Sequence, residues 1–220
     1  MGKITSRSGG DEVCGVYPKN ITVFDQPGND TWIKPDGCIF IRVQLVGAGG
    51  GSSGYCESGG AGGYSEKYID VTGIDSVQVT VGSGGLTRTY TSSPQVPSDS
   101  GGTTSFGSYL TATGGYGANS HGSHEGGAGG IGFGGDINLP GGRGGGHCNS
   151  MGYWGPNTGA SSFFGGPSGR RHSDSNNNTG EQNAAPGAGG SGGVTDKTAT
   201  GDPGRHGIIL IHEFHRYEGE

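Results

Sequence analysis

Hydrophobic positions in this chain alternate over short stretches and then stop. Over Cys38–Val46 (CIFIRVQLV), Ile39, Ile41, Val43 and Leu45 fall on one face and Phe40, Arg42 and Gln44 on the other. That is the period of two expected of a half-buried strand. Ser76–Val81 sets Val77, Val79 and Val81 against Gln78 and Thr80. Ile21–Gln26, Thr31–Ile33, Tyr64–Val71, Thr103–Phe106 and Tyr109–Thr113 read as further short strands, and Gly207–His215 (GIILIHEFH) as a closing strand that belongs inside a sheet. Pro35–Gly37 (PDG) predicts a turn, because proline presets φ and glycine accepts a positive φ. No long segment has helical periodicity with caps. The pattern predicts an all-β unit, an antiparallel β-sandwich of roughly six or seven short strands.

Between the strands the pattern dissolves into glycine. Gly114–Gly146 (GGYGANSHGSHEGGAGGIGFGGDINLPGGRGGG) has neither helix propensity nor strand alternation, and Gly47–Gly63 and Gly187–Gly193 share its texture. Glycine is 54 of 220 residues, and with only 28% hydrophobic residues an ordinary apolar core is small. Each ordered glycine costs roughly 0.5–1 kcal/mol more backbone entropy than alanine in a regular element. The runs are therefore mobile loops unless something offsets that cost. The ordered alternative is polyglycine II, an extended helix with three residues per turn and no internal hydrogen bonds. Its outward N–H and C=O groups need partners once buried, and only glycine lets neighbouring chains approach closely enough to supply them. The predicted fold is thus a β-sandwich with a packed polyglycine II helix layer carrying variable loops. Residues 1–20 read as an N-terminal attachment arm and residues 21–217 as the glycine-rich domain.

Several motifs together resemble a known family. TWIKPDGCIFIRVQLVGAGGGSSG, GGAGGYSEKYIDV, SVQVTVGSGG, GGTTSFGSYLTATGG and the closing GDPGRHGIILIHEF are similar, in that order, to the glycine-rich domain at the distal ends of bacteriophage tail fibres. The resemblance covers about residues 21–215. Its acidic closing-strand position falls on Glu213, although the HEFHRYEGE ending is longer and more polar than usual. It implies a virion protein, made in the host cytoplasm and assembled as a homotrimer, that binds a host cell-surface receptor such as a polysaccharide or outer-membrane protein. The other reading is a structural fibre, collar or capsid-decoration component. The family usually ends a long fibre, whereas here little precedes the domain, so the resemblance points to a separate tip, a short spike or a decoration.

Charge and motif chemistry narrow the alternatives. A formal charge of −6 and a pI near 5.6 argue against a general nucleic-acid binder. No long apolar span predicts membrane insertion. Cys14, Cys38, Cys56 and Cys148 form neither a CxxC pair nor a zinc spacing. VQLVGAGGGSSG opens no helix, and the GxGxxG matches at Gly127/Gly129/Gly132 and Gly187/Gly189/Gly192 are what glycine-rich text produces by chance. His121 and His124 lie in a loop, and His212 and His215 would point to opposite faces of a strand. No metal or cofactor is expected. Glu57, Asp99, Glu125, Asp136, Asp174 and Glu181 are scattered and suggest no catalytic pair, so no enzyme activity is expected.

The residues suited to recognition lie in irregular stretches between glycine runs, at Ser52–Ser58, Leu86–Ser100, Tyr116–Glu125 and His147–Asn183. Rigid scaffolds carry binding residues on such loops. Aromatic rings give contact area at low entropic cost, and Ser, Gly and Asn give adaptable hydrogen bonds. The candidate receptor-binding residues are Tyr55, Tyr90, Tyr116, His121, Tyr153, Trp154, Phe163 and Phe164, with Arg170, Arg171 and His172 suited to phosphate or carboxylate on a surface glycan. Each aromatic has a second reading, packing against a glycine layer.

Overall fold

A computed structural model describes residues 16–53, 57–88, 96–119, 125–146, 158–167, 184–192 and 201–216. The described chain is all β. Its strands are β1 (Val16–Phe24), β2 (Gly28–Ile33), β3 (Cys38–Val46), β4 (Tyr64–Asp70), β5 (Ser76–Val81), β6 (Thr104–Phe106), β7 (Leu110–Ala112), β8 (Gly132–Phe133), β9 (Ile137–Leu139) and β10 (Ile208–Arg216). They form two five-stranded sheets, β1-β10-β3-β4-β9 and β2-β5-β6-β7-β8, and every strand pair is antiparallel. The closing strand β10 lies inside its sheet, between β1 and β3. Alternation places Ile41, Val43, Leu45, Ile209 and Ile211 of the first sheet against Val77, Val79, Val81, Phe106 and Leu110 of the second. At the predicted turn Gly37 has φ 76° and the Cys38 N–H donates to the Pro35 carbonyl at 3.1 Å.

The sandwich has more strands than its alternation suggests. β8 and β9 are two and three residues long and fall inside the glycine-rich stretch. β1 begins at Val16, so the first sheet extends into the segment read as an arm; residues 1–15 lie outside the described chain.

Inside the sandwich one carboxylate joins the two sheets. Glu213 of β10 faces inward and is buried. It accepts hydrogen bonds from the Thr22 hydroxyl at 2.8 Å, the Asn20 amide at 3.2 Å and the Trp32 indole N–H at 2.9 Å. Trp32 belongs to β2 in the opposite sheet and packs against Phe106.

Beyond the apolar core the strands run directly into the glycine segments. β3 continues as 47–53, and 57–63 leads back into β4; β5 continues as 82–88, and 98–102 leads into β6; β7 continues as 113–118, and 125–131 leads into β8. Segments 141–146 and 201–207 join β9 and β10 in the same way. Segments 158–162 and 185–192 lie among them, linked by hydrogen bonds through Ala160 and Gly190.

The hydrogen bonds of these segments rotate with a period of three. Gly47, Gly50 and Ser53 donate to the carbonyls of Gly63, Gly60 and Glu57; Ala48 and Gly51 donate to Gly102 and Asp99; Gly49 and Ser52 donate to Arg205 and Asp202, all at 2.8–3.2 Å. The carbonyls of 47–53 accept from other segments: Ala48 and Gly51 from Gly115 and Ala118, Gly49 from Gly85, and Gly50 from Gly190. Segment 57–63 repeats the rotation. Ser58 and Ala61 donate to Gly145 and Gly142, Gly59 and Gly62 to Gly190 and Gly187, and Gly60 and Gly63 to Tyr116 and Thr113. Segments 47–53 and 57–63 are thus enclosed by other glycine segments, and hydrogen bonds such as Ala48 to Gly102 cross between continuations of the two sheets. Where side chains vanish, this lattice of backbone hydrogen bonds replaces the apolar core.

Candidate functional site

Two ends of the lattice differ. At the end nearer the sheets, the segments join strands. At the far end the chain leaves the described residues and re-enters them: after Ser53 and before Glu57, after Arg88 and before Val96, after Asn119 and before Glu125, after Gly146 and before Thr158, and after Gly192 and before Gly201. The flanks meet one another. The Ser53 N–H donates to the Glu57 carbonyl and Ser98 N–H to Ala118. Ser53 also bridges to Arg88. Arg88 pairs with Asp99 at 2.8 Å and Arg143 with Glu125 at 3.0 Å. Both pairs are exposed enough to contribute little stability, yet each ties two segments near where the loops begin.

Tyr55, Tyr90, His121, Tyr153 and Trp154 all lie in these intervals, outside the described residues. The structure brings the residues that flank these intervals to one end of the lattice, which spacing along the sequence does not reveal. Tyr116 is described; it sits within the lattice, where its carbonyl accepts the Gly60 N–H, and its residue is 60% exposed. Arg170, Arg171 and His172 also lie outside the described residues, but the flanks of their segment are at the opposite, sheet-proximal end, where Ala185 N–H donates to Gly166.

Phe163 and Phe164 are at that sheet-proximal end too, where both pack against Tyr64 while Phe163 stays half exposed. Phe163 stacks on Tyr64 with ring centroids 3.6 Å apart, and Phe164 meets Tyr64 edge-on at 6.1 Å. Beneath them runs a polar network on the outer face of the first sheet. Arg42 donates to both carboxylate oxygens of Glu66, at 2.7 and 3.0 Å. The Tyr64 hydroxyl donates to Glu66, Gln44 Nε2 donates to the Tyr64 oxygen at 2.7 Å, and His212 meets Gln44 at 3.1 Å. The Arg42 hydrogen bond holds the Glu66 carboxyl below its ordinary range. Burial, helped by the hydrogen bond to Glu66, raises the Tyr64 hydroxyl to about 12. Burial and the Arg42 charge lower His212.

The Glu66 and Tyr64 shifts act at opposite ends of the pH range. Glu66 stabilises the fold above its ordinary value of 4.5, and that contribution is lost as pH falls through the lowered folded value. Tyr64 stabilises the fold below pH 10, and its contribution is lost as pH rises through about 12. Urea midpoints measured across pH should fall at both ends. Tyr64→Phe should shrink the alkaline loss, to which the raised Cys38 thiol also contributes, and Arg42→Met should shrink the acid one.

The remaining candidate chemistry is dispersed. Asp99 and Glu125 are in the ion pairs above, and Asp136 accepts the Tyr68 N–H at 3.0 Å; Asp174 and Glu181 lie outside the described residues. His212 faces outward, whereas His215 is buried. Cys38 is a buried free thiol, raised mainly by burial; Cys14, Cys56 and Cys148 are outside the described residues. Among the described residues no three His, Cys, Asp or Glu side chains gather as a metal site, and no helix is long and apolar enough to cross a membrane.

An all-β sandwich continued as a hydrogen-bonded glycine lattice defines a glycine-rich β domain. The family model of the glycine-rich domain matches residues 25–212, and the chain belongs to that family. No protein of curated function matches it.

Proposed function

We propose that this chain is the tip of a bacteriophage tail fibre or spike and binds a host cell-surface receptor, a polysaccharide or outer-membrane protein, through loops at the sheet-distal end. The supporting observation is the convergence of five loop bases on one end of a lattice whose backbone is fixed by hydrogen bonds. Such a base pre-pays the ordering cost that flexible loops otherwise bear on binding. In this reading the period-of-three segments are polyglycine II, and the scaffold is a bundle of such helices. The order of motifs from the tryptophan strand to Glu213 supports the phage assignment, and homotrimer assembly follows from the same likeness.

The test is attachment. Labelled protein should adsorb to susceptible cells and compete with phage for them. Trp154→Ala should keep the melting temperature and reduce adsorption about thirtyfold, the size of a hot-spot loss of about 2 kcal/mol. Phe163→Ala should do the reverse: it gives up the Tyr64 stack, costs roughly 1–2 kcal/mol of stability, and leaves adsorption intact. Equal adsorption by wild type and Trp154→Ala at every concentration would remove this residue from the site.

A second reading, a structural virion component, is favoured by the outer face of the first sheet. Ile21 and Val23 of β1 and Tyr68 of β4 are half exposed there beside Phe40 and Phe214, and open apolar faces mark contacts with other chains. Cross-linking to neighbouring virion proteins through this face, with no adsorption to cells, would favour this reading over receptor binding.

A further inference from the structure

The lattice changes composition at its far end. Residues 47–51, 59–63 and 187–190 hold only glycine and alanine. One step further out the same segments carry oxygen-bearing side chains that are nonetheless buried: Ser52, Ser53, Glu57, Ser58 and Ser191, with Ser98 beside them. The layer is knit together. The Ser52 N–H and hydroxyl both donate to the Asp202 carbonyl, at 3.2 and 2.8 Å, and the Ser98 hydroxyl donates to the Ser52 carbonyl at 2.7 Å. Gly192 N–H donates to the Ser58 hydroxyl at 3.2 Å, and Gly159 N–H to the Ser191 hydroxyl at 3.1 Å.

Glu57 is the anomaly in this layer. It is 0% exposed; its Oε2 accepts the Ser53 hydroxyl, and its Oε1 has no hydrogen-bond partner. The fold treats its other buried carboxylates differently: Glu66 has Arg42, Tyr64 and Gln44, and Glu213 has Asn20, Thr22 and Trp32. A buried carboxylate oxygen with neither a hydrogen bond nor a countercharge is strongly destabilising, whereas coordinating a cation resolves it.

We propose that Glu57 is the charged ligand of a hard-cation site, of the calcium class, set in the serine layer beneath the distal loops. The surroundings fit that class. Among the described residues the polar side chains of the layer offer oxygen, from Ser53, Ser52 and Ser58, and oxygen ligands select calcium or magnesium over transition metals. Asp202 adjoins Ser52 and brings a second carboxylate-bearing residue to the same end of the lattice. So few formal charges place the affinity in the weak range of extracellular calcium modules, Kd about 0.1–1 mM. The ion would pin segments 47–53 and 57–63 where the first distal loop begins. This site is independent of the receptor reading, which stands if the site fails.

The experiment is a thermal melt of the full chain after chelation of divalent ions, repeated with about 10 mM calcium or magnesium chloride, alongside calorimetric titration with calcium. At an excess approaching a hundredfold over Kd, calcium should raise the melting temperature by about 5–10 °C. The titration should fit about one ion per chain. Glu57→Gln should lose the shift and weaken calcium binding at least tenfold. Wild-type protein alone decides the main point, should the variant not fold: no shift and no heat with either ion overturns the site. A Glu57→Gln protein that melts above metal-free wild type yet shifts with calcium as wild type does also overturns it, since the charge would then be a burden with no ion upon it.

Discussion

Gly50→Ala should abolish cooperative folding, and Gly73→Ala should not. A Cβ on Gly50 would fall on the Tyr116 carbonyl oxygen and carbon and on the Gly117 nitrogen, all inside 3.0 Å. These are backbone atoms that cannot swing aside, because the Tyr116 carbonyl is held by the Gly60 N–H. Room for one methyl requires segments 47–53 and 113–118 to separate, which breaks the bonds from Gly115 to Ala48 and from Ala118 to Gly51. Each buried group so orphaned costs about 1–3 kcal/mol. With donors and acceptors of both bonds affected, the loss reaches a whole domain's stability of about 5–15 kcal/mol. Gly49, Gly60 and Gly62 meet backbone in the same way, whereas Gly73, in the β4–β5 turn, meets nothing within 4 Å. Circular-dichroism melts of soluble protein distinguish the pair. A sharp, near-wild-type transition for Gly50→Ala would mean that the lattice opens cheaply, and the argument for glycine as architecture would fail with it.

That result bears on how the sequence is read. Strands with clean alternation are legible: β3, β5 and β10 fall where Ile41, Val43, Val77, Val79 and the GIILIHEFH stretch put them. β1 is less so, because its first residues, Val16–Lys19, sit at an exposed sheet edge and include a proline and a bulge between Pro18 and Asn20. β8 and β9 are too short for any period to register. The lattice is legible as a need but not as a map. Fifty-four glycines signal that backbone groups require partners, yet glycine has no side chain to say which segment lies beside which. For the same reason the gathering of loop bases at one end was invisible: Tyr55, Tyr90 and Trp154 are distant in sequence, and only the alternating direction of the segments collects their flanks. Phe163 and Phe164 show the opposite limit. Their aromatic, exposed-looking context suits a ligand as well as a neighbour, and only the position of Tyr64 separates the two. The buried serines carried a signal that composition hides, since Ser next to Gly reads as loop until each hydroxyl is seen bonded to a segment alongside.

Glu213 offers the second large effect, and here the alternation of β10 contains the clue. Ile209, Ile211 and Glu213 share the inward face, so the strand puts a carboxylate into the core. Glu213→Ala should cost about 3–5 kcal/mol, the scale of leaving two buried or half-buried donors without their acceptor, at about 1–3 kcal/mol each. It leaves the buried Trp32 indole N–H and the half-buried Thr22 hydroxyl without their acceptor, while the exposed Asn20 amide turns to water. Glu213→Gln should be much milder, roughly 1 kcal/mol. Its amide oxygen can still accept from Trp32 and Thr22, and the Asn20 amide can turn its oxygen toward the new NH2, so the change trades charge-assisted bonds for neutral ones. Trp32→Phe should fall between them, at about 1–3 kcal/mol, because one acceptor site on Glu213 loses its donor while the packing on Phe106 remains. Since Trp32 stands in the sheet opposite β10, a double-mutant cycle of Trp32→Phe with Glu213→Ala, each of which removes the bond between them, measures the tie between the sheets directly. A coupling of 0.5 kcal/mol or more is expected from urea denaturation. Strict additivity would reduce Glu213 to a buried group solvated by its own sheet, through Asn20 and Thr22, and leave the apolar side chains alone to hold the sandwich closed.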